Sequence, residues 1–311
     1  MRPAVRALPI AVAALVALAL PFVLRALGLD FYLSLASRIV VFGVAATSLN
    51  LVLGYGGMVS FGHAAFVGVG AYVTGVMISE GVQSGVAHLA ATVAITALVA
   101  LVIGAVSLRT RGVYFIMITL AFAQMLYYLA NSVKGYGGDE GLNIRARSLF
   151  SFGDRVLDLK DPLAFYYVAL ARFVPSRFGR AVLALRDDDV RAEALGFAVY
   201  RSKLVVFVVA GALGGVAGAL SVNLQGYVSP NVLHWTQSGT LMVMVILGGV
   251  ATVWGGLVGA AVLLLLQEVL GAYTEHWEFW TGWVLLAVVL FARQGLVGVV
   301  KTLRDRKAGP R

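Results

Sequence analysis

Apolar runs of membrane-crossing length recur along the whole chain, at Ala7–Leu24, Phe31–Leu53, Gly57–Ile78, Val86–Leu108, Gly112–Ala130, Leu204–Leu224, Thr236–Trp254, Gly255–Leu270 and Phe279–Val300. A helix needs about 20 apolar residues to span a hydrocarbon core. All but the shorter run at Gly255 therefore qualify. Each run is apolar on every side rather than along one stripe, as expected where a helix faces lipid or other helices. Only 13% of the 311 residues are charged, against about 25% in a soluble domain. A water-soluble enzyme is excluded, and no length remains for a separate soluble domain. Arg38, close to a helix end, reads as a side chain that snorkels.

Arg2 and Arg6 precede Ala7–Leu24 in the manner of a signal peptide. That run is longer than a typical signal core and meets Arg25 before any small-residue cleavage site, so it reads as a retained first helix. The chain has no cysteine, which removes disulfides, thiolate metal sites and thiol nucleophiles. Its net charge of +9 fits membrane orientation and anionic lipid rather than nucleic acid.

Charge also assigns sides. Residues 132–161 carry five basic and five acidic residues, whereas 176–203 carry six basic and four acidic, and the tail 293–311 six basic and one acidic. By the positive-inside rule the last two, with Arg2, Arg6, Arg109 and Arg111, face the cytoplasm, and 132–161 faces outward. Parity then demands one more crossing between 161 and 176. Leu163–Val174 is the sole candidate, and a dozen residues reach only about 18 Å of a core of about 30 Å.

Glycine is frequent, at 36 residues, and its placement is not random. Gly211, Gly214, Gly215 and Gly218 form two overlapping G-x-x-x-G pairs, and Gly255 with Gly259 a third, which suit close helix packing. Leu53-Gly-Tyr-Gly-Gly-Met-Val-Ser-Phe-Gly-His63 and Leu247–Gly256 go further and interrupt their helices. Backbone freed at membrane depth must line a cavity or be buried in protein, and paired broken segments point to a transporter's binding region. Gly56-Gly57-x-x-Ser60 and Gly248-Gly249-x-x-Thr252 are suggestive of an internal repeat, though short. The candidate translocation path is Asn50, Gly54, Gly56, Gly57, Ser60, Gly62 and His63, with Asn223 and Gln225 at another span end. For His63 a packing role is the alternative, and Asn50 and Asn223 fit interhelical hydrogen bonding equally well.

Catalytic patterns do not form. There is no G-x-x-x-x-G-K-[ST] and no H-E-x-x-H. Gly57-Met-Val-Ser60 has the wrong spacing for a nucleophile elbow. Glu268 lies near its span end beside Tyr273 and Glu275 and reads as interfacial, which gives a proton-coupled transporter little support.

Taken together, Ser48–Tyr72, Gly137-Gly-Asp-Glu-Gly-Leu142, Phe178-Gly-Arg-Ala181, Leu185-Arg-Asp-Asp-Asp189, Glu193-Ala-Leu-Gly196, Leu247–Ala260 and Arg293-Gln-Gly-Leu296 closely resemble the LivM-type permease subunits of branched-chain amino acid ABC importers. The resemblance runs over nearly the whole chain. It implies an all-α polytopic integral membrane protein, one permease domain over 1–311, with nine full transmembrane helices plus a shortened tenth segment near 162–175. Family members have most of an apolar helix there, so roughly 15–20 residues are missing, the shortfall against a normal span.

The resemblance further implies a transport subunit without its own ATP-binding motif or cofactor. Separate cytoplasmic ABC ATPases drive alternating access, a periplasmic or lipid-anchored binding protein delivers substrate, and a LivH-type permease is the partner, all in a bacterial-type inner membrane with both termini cytoplasmic. Residues 176–203 become the ATPase coupling loop, with Phe178, Gly179, Arg180, Arg186, Asp187, Glu193, Ala194 and Gly196 as its contact residues. The loop interleaves apolar and charged residues, which suits a short amphipathic helix in a groove with charges setting register. Branched-chain amino acids are the expected cargo; urea, short amides and other hydrophobic amino acids are the alternatives, and a proton-coupled secondary transporter the rival class.

Overall fold

A computed structural model describes residues 30–144, 147–152, 155–158, 198–252, 254–291 and 295–298. The expected first helix at 7–24, the short segment 163–174, residues 176–197 of the coupling loop and the tail beyond 298 lie outside the described residues. Within them the chain forms α1 (Asp30–Asn50), α2 (His63–Ser79), α3 (Gly85–Ser107), α4 (Val113–Ser132), α5 (Val199–Gln225), α6 (Trp235–Gly248), α7 (Gly255–Tyr273) and α8 (Trp277–Phe291). Four short strands accompany them: β1 (Leu142–Asn143), β2 (Leu149–Phe152), β3 (Arg155–Asp158) and β4 (Tyr227–Val228).

Among the described residues, five helical segments are long and apolar enough to cross a membrane: Phe31–Tyr55, Gly85–Ser107, Val113–Ser132, Val199–Gln225 and Gly255–Tyr273. The run at Gly255, the shortest by sequence, is thus a helix of 19 residues, about 28 Å long at 1.5 Å per residue. The expected span Phe279–Val300 is described as a helix of 15 residues, Trp277–Phe291, and two others are cut short at glycine breaks. Gly57–Ile78 becomes helical only at His63, and Thr236–Trp254 leaves the helix at Gly248, so His63–Ser79 and Trp235–Gly248 are apolar helices of 17 and 14 residues. In both places glycine removes the side chain that would favour continuation, and the backbone turns away.

Small residues set the middle of the bundle. α2 and α5 run in the same direction with α3 antiparallel beside them: Gly211 lies against Phe66 and Gly218 against Ala71, and the approach is close, since a methyl at Gly70 would strike the Gly215 backbone and one at Gly218 the Val67 carbonyl. Gly211 sits against Ala100 of α3 and Gly215 against Thr96. Both overlapping G-x-x-x-G pairs therefore form helix contacts, as does Gly259 of α7 against the Met244 carbonyl of α6. In a bilayer, where lipid removes the hydrophobic drive between helices, such close approach supplies the attraction.

Aromatic rings fill the remaining core. Phe66, Phe207 and Phe115 stack edge to face, with centroids 5.4 Å apart for the first pair and 6.1 Å for the second, each pair worth about 0.5–1.5 kcal/mol beyond its burial. Outward faces stay apolar. On α4, Tyr114, Met117, Met125 and Tyr128 are exposed, and on α8 so are Phe279, Trp280 and Trp283, which is the pattern of lipid contact.

One end of the bundle is closed by the loop after α4. β1 pairs antiparallel with β4, Leu142 opposite Val228 and Asn143 opposite Tyr227, and Ile144 N–H donates to the Gly226 carbonyl at 2.8 Å. β2 and β3 form a separate hairpin. The charged loop is thereby tied to the end of α5.

Candidate translocation site

The two glycine breaks meet. After α1, residues Leu51–Tyr55 widen into a π-turn, in which Gly56 N–H donates to the Leu51 carbonyl at 2.9 Å. Across from it, α6 ends at Gly248, Gly249 has φ 121° and Ala251 has φ 60°, the sole non-glycine residue with positive φ among the described residues. Asn50 joins the two. Its Nδ2 donates to the Thr252 carbonyl at 2.8 Å, and its Oδ1 accepts from Ala251 N–H at 2.9 Å. One buried amide thus satisfies two backbone groups that the end of α6 leaves without helical partners. The fit is tight, since a methyl at Gly54 would come within 2.5 Å of the Ala251 nitrogen.

His63 opens α2 at full burial. Ser48 Oγ donates to the Ala45 carbonyl at 2.7 Å and lies 2.7 Å from His63 Nε2. A hydroxyl has one proton to give, so Nε2 carries the ring proton and donates to Ser48. Nδ1 forms no hydrogen bond among the described residues. Ser60 Oγ accepts from Gly62 N–H at 3.3 Å, and Gly62 itself lies against the Thr119 carbonyl of α4, 2.5 Å from where a methyl would stand. Ser238 of α6 accepts from Ala64 N–H at 2.9 Å and caps the start of α2. Ser238 was not a sequence candidate; a buried serine in the apolar run after Trp235 was its one signal.

Asn223 plays a similar part at the other end of α5. Its Nδ2 donates to the Ala219 carbonyl at 2.9 Å and its Oδ1 accepts from Ser148 N–H at 2.8 Å. His88 Nδ1 lies 2.7 Å from Ser148 Oγ. The structure therefore buries all four polar candidates: Asn50 and His63 link separate elements, Asn223 ties α5 to the loop after α4 and Ser60 bonds within its own loop, whereas Gly57 and Gln225 line cavities.

Those cavities sit at opposite ends of α5. The first, about 290 Å³, is lined by Gly57, Val59, Thr110, Arg111, Tyr200 and Lys203 among others. The second, about 310 Å³, lies between α1, α2, α5, α6 and the chain linking α5 to α6, with Arg38, Gln225, Asn231 and Gln237 among its polar lining and Phe42, Val67 and Leu241 among its apolar lining. Arg38, expected to snorkel, has a cavity beside it. Asn231 was missed because the link from Gly226 to His234 has no helical periodicity to mark it, and Gln237 because it falls inside the apolar run from Thr236.

A helical bundle with apolar outer faces, two broken segments in contact and a cavity toward each end has the architecture of a multi-pass membrane transport subunit. Residues 31–293 match the family described as branched-chain amino acid transport system permease component, and the chain belongs to it. The high-affinity branched-chain amino acid transport system permease protein LivM of Salmonella typhimurium is 26% identical over 325 residues, covering 94% of this chain and 75% of that protein. LivM of Escherichia coli is 26% identical over 311 residues, covering 88% and 72%. The L-arabinose ABC transporter permease protein AraH of Azospirillum brasilense is 27% identical over 265 residues, covering 81% and 77%. No solved structure matches the chain. As a permease component the protein is a transport subunit and not an enzyme, and it pairs with ATPase and binding-protein partners.

Proposed function

We propose that this chain is the LivM-type half of an ATP-driven, binding-protein-dependent importer of branched-chain amino acids. The observation that carries the reading is the family match over residues 31–293, supported by the contact between the two broken segments through Asn50. In this reading the single permease domain spans 1–311, a LivH-type permease is the second half, and both lie in a bacterial-type inner membrane with cytoplasmic termini. Ten crossings follow, the tenth being the short segment near 162–175. The end of α1 at Asn50 then faces inward and the β1–β4 end faces outward.

The path runs along the Asn50–His63 stretch, with Gly57 at the inner cavity and Gln225 at the outer one. Asn50, Gly54, Gly56, Ser60, Gly62, His63 and Asn223 hold the joints on which these cavities open and close. No cofactor is bound by this chain; ATP is used by the partner subunits, and the loop 176–203 transmits their closure.

The test is uptake of labelled L-leucine, L-isoleucine and L-valine into proteoliposomes containing the assembled importer. Uptake that requires ATP and loaded binding protein, and that an uncoupler leaves unchanged at constant ATP, supports the reading. Uptake driven by a proton gradient without ATP overturns it. The similarity to an arabinose permease makes L-arabinose a necessary comparison in the same assay, with urea as the amide.

A further inference from the structure

We propose that the cavity beside Arg38 is a binding site for a zwitterionic aliphatic amino acid, with the Arg38 guanidinium holding the carboxylate. This deepens the importer reading and rests on it. Arg38 stands eight residues into α1, about 12 Å along the helix from Asp30. A cation at that depth is costly and marks a pathway or a water-filled cavity. Here it is accessible and lines a cavity of about 310 Å³, a volume at the lower end of small-molecule sites, which run from about 300 to 1,000 Å³.

The facing wall has its own physical cause. From Gly226, with φ 70°, to His234 the chain is not α-helical, and a single short turn at Pro230–Leu233 interrupts it. Irregular backbone at membrane depth is tolerated where it is buried in protein or lines a cavity. Ser229 and Asn231 from this link, Gln225 from α5 and Gln237 from α6 all border the cavity. They supply neutral oxygens, and no carboxylate is among the described lining residues to neutralise Arg38. Val41, Phe42, Val67 and Leu241 form the apolar part.

One fixed cation, several amide and hydroxyl oxygens and an aliphatic wall match one ligand class. The guanidinium offers paired N–H donors to a carboxylate, the oxygens accept from an ammonium, and the apolar wall takes a branched side chain. A neutral sugar gains nothing from the cation. A cationic amine lacking a carboxylate is repelled by it.

The experiment measures labelled L-leucine uptake by proteoliposomes holding the complete importer, together with ATPase stimulation by loaded binding protein. Arg38→Gln should lower leucine uptake by at least about tenfold, the loss expected for a charge-assisted hydrogen bond, while ATPase stimulation persists; Arg38→Lys should retain part of the uptake. Asn231→Asp, nearly the same shape, places a competing carboxylate in the cavity and should lower uptake likewise. Leucine uptake within about twofold of wild type in both Arg38→Gln and Asn231→Asp overturns the proposal while leaving the importer reading intact. If Arg38→Gln does not assemble, Asn231→Asp decides by the same criterion. Wild-type protein that takes up none of leucine, isoleucine and valine overturns the importer reading itself, and the carboxylate site with it.

Discussion

Asn50 shows how one side chain holds two breaks together. Its amide gives to the Thr252 carbonyl and takes from Ala251 N–H, and both partners are backbone groups that no helix satisfies. Replacing Asn50 by Ala leaves the half-buried Ala251 N–H without its acceptor, while the Thr252 carbonyl keeps the Gly255 N–H at 3.3 Å; one unsatisfied donor costs about 1–3 kcal/mol. A lowered unfolding midpoint in detergent should report this. Ser34→Ala, on an exposed serine that bonds only to the Phe31 carbonyl within its own turn, should fall within about 0.5 kcal/mol of wild type. Equal midpoints for the two variants would remove the bridging role. From sequence, Asn50 was legible as a polar residue inside an apolar run, with path contact and helix glue both open. Its partners lie about 200 positions away, and nothing local in the chain marks such a pairing.

At the scale of the elements, glycine has two separable effects. Gly218 is a packing glycine, because a methyl there would strike the Val67 carbonyl and come 2.8 Å from the Ala71 nitrogen. Gly239, inside α6, has nothing within 4 Å of the same position. Gly218→Ala should therefore destabilise by about 1–3 kcal/mol through overpacking, whereas Gly239→Ala should stabilise by about 0.5–1 kcal/mol through helix propensity. Thermal unfolding of the purified protein checks both signs, and a stable Gly218→Ala would contradict the α2–α5 contact. The G-x-x-x-G spacing marked Gly218 as a packing residue before any partner was known. The ends of α2 and α6 were harder, since apolar composition continues through Gly57–Gly62 and past Gly248 while the backbone does not.

Across the whole molecule, two cavities lie at opposite ends of α5 with a joint between two broken segments; in the proposed alternating access one cavity enlarges as the other closes about that joint. In the proposed importer the drive enters through the loop 176–203. Glu193→Lys and Gly196→Trp should uncouple ATP hydrolysis from transport while membrane insertion is preserved. The measurement is ATPase stimulation by loaded binding protein beside leucine uptake; both variants behaving as wild type in the two assays would remove the loop from the coupling role.

The division between chain and fold follows from the range of the forces. Membrane residence, helical class and the existence of two broken segments were already determined by the amino-acid order, because lipid offers backbone groups no partners and every apolar run must satisfy its own. Family membership was likewise legible, in motifs spread from Ser48 to Leu296. Which polar residues become joints and which line cavities was decided only by tertiary structure. Asn50, His63 and Asn223 turn inward to meet groups far away in sequence, while Arg38, Asn231 and Gln237 come together only because an irregular link folds back between α5 and α6. Local pattern records how a segment meets its solvent, but the packing of segments against one another settles what each polar atom touches.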